Sequence, residues 1–156
     1  MLTQRTLIIF KPDAVERMLV GRILSRFEDK GLKIVGMKFI KITEELASKH
    51  YAEHVGKPFY SKLVDFITAA PVIVACLEAP RCIEITRNLL GKTYGFDAEP
   101  GTVRGDFSMS RSYNLVHASD SVESAQREIA LYFKEEELIS WTPNQQRWYF
   151  HENDLK

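Results

Sequence analysis

The stretch NLVHASDS, residues 114–121, places a histidine where an apolar segment becomes polar. Because imidazole has an unperturbed pKa of about 6.5, His117 can act near neutral pH as a nucleophile, a proton carrier or a metal ligand. It can equally be a structural residue whose ring is held by hydrogen bonds. A metal site is the less favoured alternative, since His50 and His54, at i and i+4, lie in another segment with no third ligand nearby in the sequence.

Several polar residues elsewhere in the chain suit the binding of a polyphosphate if the fold brings them together. Lys11 ends a predicted strand, Arg87 lies in a predicted helix, and Arg104 lies in a long irregular segment. Arginine offers planar bidentate forks and lysine a point charge, while Thr93 and Asn114 add neutral donors. Each cation also has a simpler interpretation, as a solvated surface charge or as one half of a local ion pair.

The composition predicts a single domain and excludes some classes of partner. The chain has 156 residues, of which 45% are hydrophobic, so residues 1–156 can form one domain with its own core. Its 21 basic and 21 acidic side chains cancel, which argues against strong binding to nucleic acid or to acidic membranes. The apolar run at the amino terminus is too short for a signal peptide, and no membrane-spanning run is present, so we expect a cytoplasmic protein.

The two cysteines do not indicate a metal or redox site. Cys76 lies in an apolar run that is typical of a buried strand, and its spacing from Cys82 matches neither a zinc pattern nor a C-x-x-C motif. Free cysteine behaves as a small hydrophobic residue. We therefore expect both thiols to be reduced and to contribute to packing.

The hydrophobic pattern predicts strands that alternate with helices. Apolar runs rich in β-forming residues predict strands at 5–11, 32–42, 72–78 and 112–119. Helical spacing predicts helices at 20–31, 43–54, 57–70, 81–91 and 121–133. Thr43 is expected to cap the second of these helices, and Asp120 with Glu123 to form a capping box for the last.

Two segments lack a clear period. Residues 92–111 form a long irregular stretch, which is uncommon in a small domain and usually functional. The tail from Lys134 onward is irregular but rich in aromatic residues, so we expect it to pack against the domain. This order of elements favours an α/β sandwich, with helices packed against one sheet.

These residues together resemble a known family. NLVHASDS is similar to N-x-x-H-[G/A]-S-D-S, the active-site signature of nucleoside diphosphate kinases. Lys-Pro-Asp at 11–13, HYAEHVGKPFYSKLVDFI at 50–67, LLGKT at 89–93 and PGTVRGDF at 100–107 resemble further segments of the family, in the family's order. The likeness extends from about Thr6 to Tyr149.

The resemblance implies both a fold and a reaction. The fold would be a ferredoxin-like βαββαβ antiparallel sheet with added helices and a long loop. The reaction would transfer the γ-phosphate of ATP, GTP or another nucleoside triphosphate to a nucleoside diphosphate. It would follow a ping-pong route through a phosphohistidine on Nδ1 of His117, the position that matches the family's nucleophile.

The resemblance also assigns roles to other positions, and Mg²⁺ is expected to arrive bridging the nucleotide's phosphates. Asn114 matches the residue that binds the ribose, Phe59 with Leu63 beside it matches the base-stacking position, and Ser119 with Glu128 matches a pair that orients the histidine. The positions that match phosphate-contacting residues are Lys11, Tyr51, Arg87, Thr93 and Arg104.

The chain departs from the family at a few positions. Ala118 stands where many members have glycine, which requires a negative φ there, and Tyr94-Gly95 replaces a usual Asn-Pro. Family members are hexamers or tetramers; chain length and the aromatic tail favour a homo-hexamer, and the altered loop weakens that inference. The rival functions are a non-catalytic nucleotide-binding module and a regulatory or nucleic-acid-binding protein.

Overall fold

The computed structural model describes residues 3–155, which contain four strands and seven α-helices. The elements in chain order are β1 (Thr3–Phe10), α1 (Pro12–Glu16), α2 (Val20–Asp29), β2 (Lys33–Ile40), α3 (Glu44–His50), α4 (Tyr60–Thr68), β3 (Val72–Pro80), α5 (Cys82–Leu90), α6 (Val103–Phe107), β4 (Val116–Ala118) and α7 (Val122–Tyr132).

The strands form one antiparallel sheet in the order β2-β3-β1-β4. β1 is therefore central, and it pairs with β3 along its whole length and with the short β4 at its carboxyl end. This order, with helical connections between the strands, confirms the predicted ferredoxin-like βαββαβ fold. The α3–α4 pair is the added helical segment between β2 and β3.

The core lies around the central strand and the helices that pack on the sheet. Residues 7–10 of β1 are completely buried, as are Ile23 and Phe27 of α2. The rings of Phe10 and Phe27 meet edge to face, with centroids 6.5 Å apart. This burial explains the continuous apolar run at the start of the sequence, because both faces of β1 are covered. Both thiols are free and buried, as expected, and burial raises the pKa of each to about 12.

The structure differs from the predicted elements in several places. The helix predicted at 43–54 ends at His50 and continues as a 3₁₀ turn over Ala52–His54, although Thr43 caps it as expected. A short helix, α1, follows Lys11 directly and was not predicted; Pro12 is its first residue, where a missing N–H costs nothing. The irregular segment at 92–111 contains α6 and a 3₁₀ turn over Gly95–Asp97.

The predicted capping box at Asp120 and Glu123 is wrong by one residue. Ser121 is the N-cap of α7, because its hydroxyl accepts a hydrogen bond from Ser124 N at 3.0 Å. Asp120 lies outside the helix and is exposed. Either side chain can cap a helix, so the sequence pattern alone did not separate the two positions.

The aromatic tail packs against the sheet, as predicted. Trp141 Nε1 donates to the carbonyl of Ile34 at 2.8 Å, and the backbone of Ile139 donates to that of Val35 at 2.7 Å. The ring of Tyr149 lies over Gly31, where a Cβ atom would come within 2.8 Å of it. Among residues 3–155, no helix is both long and apolar enough to cross a membrane.

Candidate active site

His117 is the middle residue of β4 and pairs with Ile9 of the central strand. Its Nε2 lies 2.7 Å from Oε1 and 3.1 Å from Oε2 of Glu128, on helix α7. The glutamate side chain is only 4% exposed, whereas that of the histidine is 27% exposed. A carboxylate accepts, so the hydrogen bond assigns the ring proton to Nε2 and leaves the lone pair on Nδ1.

Ser119 fixes the carboxylate that holds the histidine. Its hydroxyl donates to Oε1 of Glu128 at 3.1 Å and accepts from the backbone N–H of Leu7 at the same distance. Its own N–H donates to the carbonyl of Leu7 at 3.1 Å, which extends the pairing of β1 beyond β4. Because Ser119 is completely buried and hydrogen-bonded on both sides, it restricts the rotation of Glu128 and therefore that of the imidazole.

The backbone turns sharply just before His117. Leu115 has a φ of +73°, and Val116 N donates to the carbonyl of Asn114 at 2.8 Å, which closes a three-residue turn. The half-buried carboxylate of Asp13 accepts from Leu115 N at 3.0 Å and supports this strained conformation. The strand predicted at 112–119 therefore starts only at Val116, and no role was predicted for Asp13 or Leu115.

Ala118 adopts the backbone conformation that its side chain requires. The non-glycine residues with positive φ within 3–155 are Met18, Arg81 and Leu115, and Ala118 is an ordinary strand residue paired with Ile8. The replacement of glycine at this position is thus accommodated without backbone strain, as the sequence analysis required. The left-handed residue of the motif is Leu115, three positions earlier.

Lys11, Asn114 and Thr93 form a chain of hydrogen bonds beside this turn. Lys11 Nζ donates to Oδ1 of Asn114 at 2.7 Å, and Nδ2 of Asn114 donates to the backbone carbonyl of Thr93 at 2.9 Å. Lys11 is tied again through its backbone N–H, which donates to the carbonyl of Leu115 at 2.9 Å. The fold thus brings together three predicted site residues from distant parts of the chain.

The guanidinium of Arg104 is buried and donates hydrogen bonds to backbone carbonyls on both sides of the turn at Leu115. Nε donates to the carbonyl of Asn114 at 3.1 Å, and the two terminal nitrogens donate to Gly91 at 3.2 Å and to Val116 at 2.6 Å. Three of the five N–H groups are therefore used by backbone carbonyls, which leaves two for a ligand. Arg104 therefore stabilises the backbone around the turn and is also a candidate phosphate ligand.

The cations converge closely enough to affect one another's protonation. Burial, and then the charge of Arg104, lower the pKa of Lys11 to about 8. Burial, and then the charge of Arg87, lower the pKa of Arg104 to about 10. Arg87 itself lies on α5, and a terminal nitrogen donates to the carbonyl of Ala118 at 3.3 Å. A bound polyphosphate would relieve this mutual repulsion.

A continuous row of rings connects the exposed Phe59 with His117. The centroid of Phe59 lies 5.3 Å from that of His54, and His54 lies 6.2 Å from Tyr51. The ring centroids of Tyr51 and His50 are 4.8 Å apart, and those of His50 and His117 are 4.7 Å apart. Phe59 precedes α4 and is 46% exposed, so one face is free to stack on a ligand. Leu63 is half-buried one turn further along the same helix.

The prediction that no third metal ligand lies near His50 and His54 is wrong for His50. His50 forms a group with His117 and Glu128 in which the candidate ligand atoms all lie within 4.8 Å of one another. His54 is not part of it. The signal was not visible in the sequence because these residues come from three different elements. Burial lowers the pKa of His50 to about 2, so its ring is neutral.

The arrangement therefore combines an oriented imidazole with a set of converging cations. His117 keeps one nitrogen free among the described residues, and the buried carboxylate of Glu128 stabilises positive charge that develops on the ring. Such a group can attack an electrophilic phosphorus, while lysine and arginine offset the charge on the phosphoryl oxygens.

Comparison with known proteins agrees with this geometry. The sequence profile of the family described as "Nucleoside diphosphate kinase" matches residues 4–138. The nucleoside diphosphate kinase of Thermomicrobium roseum is 54% identical over 145 residues, which cover 93% of this chain and 97% of that protein.

Two solved structures superpose on almost the whole chain. A halophilic nucleoside diphosphate kinase from Halobacterium salinarum, in complex with CDP, is 45% identical and has a TM-score of 0.93, covering 96% of this chain and all of that one. A transition-state mimic of the Borrelia burgdorferi enzyme, with bound vanadate and ADP, is 38% identical with a TM-score of 0.90, covering 96% and 99%. This chain belongs to the nucleoside diphosphate kinase family.

Proposed function

We propose that His117 is the nucleophile through which this chain moves a phosphoryl group from a nucleoside triphosphate to a nucleoside diphosphate. As a member of its family, the chain catalyses this transfer. The observation that carries the assignment is the hydrogen bond from Nε2 to Glu128, which leaves Nδ1 with its lone pair. The vanadate and ADP in the Borrelia burgdorferi relative agree with a phosphoryl-transfer site in this fold.

The reaction has two in-line steps at one histidine. Nδ1 attacks the γ-phosphorus, the bond from that phosphorus to the bridging oxygen breaks, and the nucleoside diphosphate leaves with the electron pair. The Nε2–H remains bonded to Glu128, whose negative charge stabilises the ring as it becomes positive. A terminal oxygen of a second diphosphate then attacks the phosphorus, and the N–P bond breaks to restore the free imidazole.

The cations supply positioning and charge. We assign phosphate contacts to Lys11, Arg87 and the two remaining N–H groups of Arg104, because these groups converge and repel one another. Thr93, whose side chain is exposed beside them, is assigned as a neutral donor to a phosphate. Tyr51 is assigned a phosphate contact because it matches a phosphate-contacting position of the family to which the chain belongs. Phosphoryl transfer needs little beyond such positioning and electrostatic stabilisation.

The nucleoside is assigned to the exposed side of the site. Asn114, held between Lys11 and Thr93, is placed to meet the ribose hydroxyls. Phe59 is assigned to stack on the base, with Leu63 beside it, since an exposed aromatic face accepts any base. This mode of binding agrees with a broad choice of base, so ATP and GTP are both expected donors.

Mg²⁺ is proposed to enter as part of the nucleotide. In the part of the chain that the structure describes, the group of three metal-ligating side chains combines two imidazoles with one carboxylate. Mg²⁺ prefers six oxygen ligands, so this set does not fit it. The ion is therefore assigned to the nucleotide, where it would neutralise part of the charge of the phosphates.

The assembly and the location of the chain are also proposals. We infer a homo-oligomer of one-domain subunits, because β2 is an edge strand with Met37 and Phe39 exposed along it. Chain length and the aromatic tail favour a hexamer over a tetramer. We propose a cytoplasmic location, where nucleoside triphosphates are made and used. The mass of the purified protein in solution tests the oligomer, and cell fractionation tests the location.

The direct test of the function is isolation of a phosphoenzyme. Wild-type protein incubated with γ-labelled ATP and Mg²⁺ should retain about one label per chain, and added GDP should remove it as labelled GTP. His117→Gln should neither retain label nor catalyse transfer, whereas His151→Gln, at an exposed position, should do both. Normal turnover by His117→Gln would refute the proposal.

A further inference from the structure

The proposed nucleophile and two side chains next to it have the composition of a transition-metal site. His50 ends α3, His117 lies on β4 and Glu128 lies on α7. Their candidate ligand atoms all lie within 4.8 Å of one another, and the two imidazole rings meet edge to face. Zn²⁺ binds imidazole nitrogens and carboxylate oxygens at about 2 Å, so the three side chains would have to close around a common ion.

His50 has coordination capacity that nothing else in the described chain uses. Its side chain is 7% exposed, and its Nδ1 is buried without a hydrogen-bond partner. A buried polar atom of this kind costs free energy unless it finds a partner. The neighbouring rings of Tyr51 and Tyr132, 4.8 Å and 5.8 Å away, contact it edge to face and do not satisfy that atom.

A cavity leads to the three side chains from outside. It has a volume of about 140 Å³ and is lined by all three residues and by further charged ones. Glu53, Asp120 and Glu128 contribute negative charges to its wall, and Arg127 contributes one positive charge. The excess of negative charge favours entry of a cation, and the volume admits an ion with bound water.

We propose that His50, His117 and Glu128 bind Zn²⁺, with water in the fourth position, and that this binding inhibits the enzyme. Two imidazoles and one carboxylate around an open position form a common zinc ligand set. We place the ion at Nε2 of His117, because that nitrogen faces Glu128. The proposed reaction uses the other nitrogen, Nδ1, and the site is distinct from any Mg²⁺ carried by a nucleotide.

Inhibition follows from the position of the ring proton. When Zn²⁺ takes the lone pair of Nε2, the neutral ring of His117 carries its proton on Nδ1. Nδ1–H has no lone pair with which to attack phosphorus. Metal binding and phosphoryl transfer therefore compete for the same imidazole, although each uses a different nitrogen. The inhibition rests on the proposed role of His117, whereas the metal site itself does not.

The site is tested first by binding, without nucleotide. Zn²⁺ is titrated into the wild-type protein in competition with a chromophoric chelator, and one equivalent should bind. His50→Gln should weaken binding at least about tenfold, as loss of one ligand requires. His54→Gln removes the other histidine that lines the cavity and should bind as wild type does. Equal affinity in wild type and His50→Gln, or no saturable binding, would overturn the proposal.

A second measurement needs no variant. In wild-type protein, one equivalent of Zn²⁺ should shift the imidazole proton resonances of His50 and His117 together and leave those of His151 in place. Co²⁺ in the same site should give the strong visible absorption of a tetrahedral ion. Shifts confined to His54 or His151 would place the metal elsewhere and overturn the proposal even if His50→Gln failed to fold.

The inhibitory role is tested separately by phosphoenzyme formation. Free Zn²⁺ is buffered with nitrilotriacetate while Mg²⁺ stays in large excess, so that the nucleotide remains its magnesium complex. Labelling of wild type should fall as the zinc site fills, and His50→Gln should need at least about tenfold more free Zn²⁺ for the same loss. Full labelling of a zinc-saturated protein overturns the inhibitory role. Failure of labelling without zinc would count against the proposed function alone.

Discussion

Nε2 of His117 lies 2.7 Å from a carboxylate oxygen of Glu128, although the two residues belong to different elements. A strand supplies the imidazole and the buried face of helix α7 supplies the carboxylate, with Ser119 bonded to the same oxygen. This contact determines which nitrogen of the ring carries the proton. The proposed mechanism depends on it more than on any other distance in the site.

Removal of that carboxylate should slow the transfer without unfolding the protein. Glu128→Gln keeps the shape of the side chain but loses the charge that stabilises the ring, so kcat should fall about 100-fold. Single-turnover phosphorylation by ATP measures the step directly. Glu123→Gln, an exposed glutamate on the same helix, should react at the wild-type rate. An unchanged rate in Glu128→Gln would mean that the hydrogen bond holds the ring in place and that the charge of Glu128 does not contribute to catalysis.

Nucleotide affinity should fall in mildly alkaline solution because Lys11 loses its proton there. Burial and Arg104 lower the pKa of Lys11 to about 8, and a bound phosphate raises it again. Between these two pKa values the affinity for ADP should decrease by up to about tenfold per pH unit. Titration calorimetry from pH 7 to pH 10 measures this slope.

Two lysine variants separate this effect from general alkaline changes. Lys11→Arg keeps its charge, so its affinity should be independent of pH between 8 and 9, below the pKa of about 10 of Arg104. Lys30→Arg, at an exposed position, should retain the wild-type slope. If Lys11→Arg and wild type lose affinity in parallel, another group is responsible.

Asp13 is expected to stabilise the strained turn at Leu115. Asp13→Leu removes the acceptor for the N–H of Leu115 and should lower the free energy of unfolding by about 1–3 kcal/mol, with a lower kcat. Asp13→Asn retains an acceptor oxygen and should remain near wild type in both. Denaturant unfolding and steady-state kinetics measure these effects; equal losses in the two variants would assign them to charge instead of to this hydrogen bond.

Phe59 is expected to contribute binding that does not depend on the base. Phe59→Ala should raise KM about tenfold or more for adenine, guanine, cytosine and uracil nucleotides alike, because stacking uses the face of the ring. Phe96→Ala, which removes another exposed phenylalanine, is the matched control and should change KM little. A loss restricted to purines or to pyrimidines would show that the base edges are read.

The sequence predicted the sheet, the major helices and most of the candidate site. Local patterns suffice for such elements: the apolar run of β1 and the helical spacing of α7 follow directly from which faces are buried. The resemblance then placed distant residues such as Lys11 and Asn114 in one site, and the fold brings them within 2.7 Å of each other.

Other features could not be predicted because they depend on long-range contacts. Leu115 is not a residue that favours a positive φ, and its turn is supported by Asp13 from the beginning of the chain. Nothing in the spacing of His50 indicates that its ring contacts His117. The fourth strand begins late for the same reason, since the turn at Leu115 interrupts the β-forming run.

The position of phosphate on the imidazole ring tests the central claim most directly. Wild-type protein is phosphorylated with ATP, digested in alkali, and the phosphohistidine isomer is identified by ³¹P NMR against both standards. Because Glu128 holds Nε2, the phosphate should be found on Nδ1 of His117. Phosphate on Nε2, or on any residue other than His117, would contradict the account.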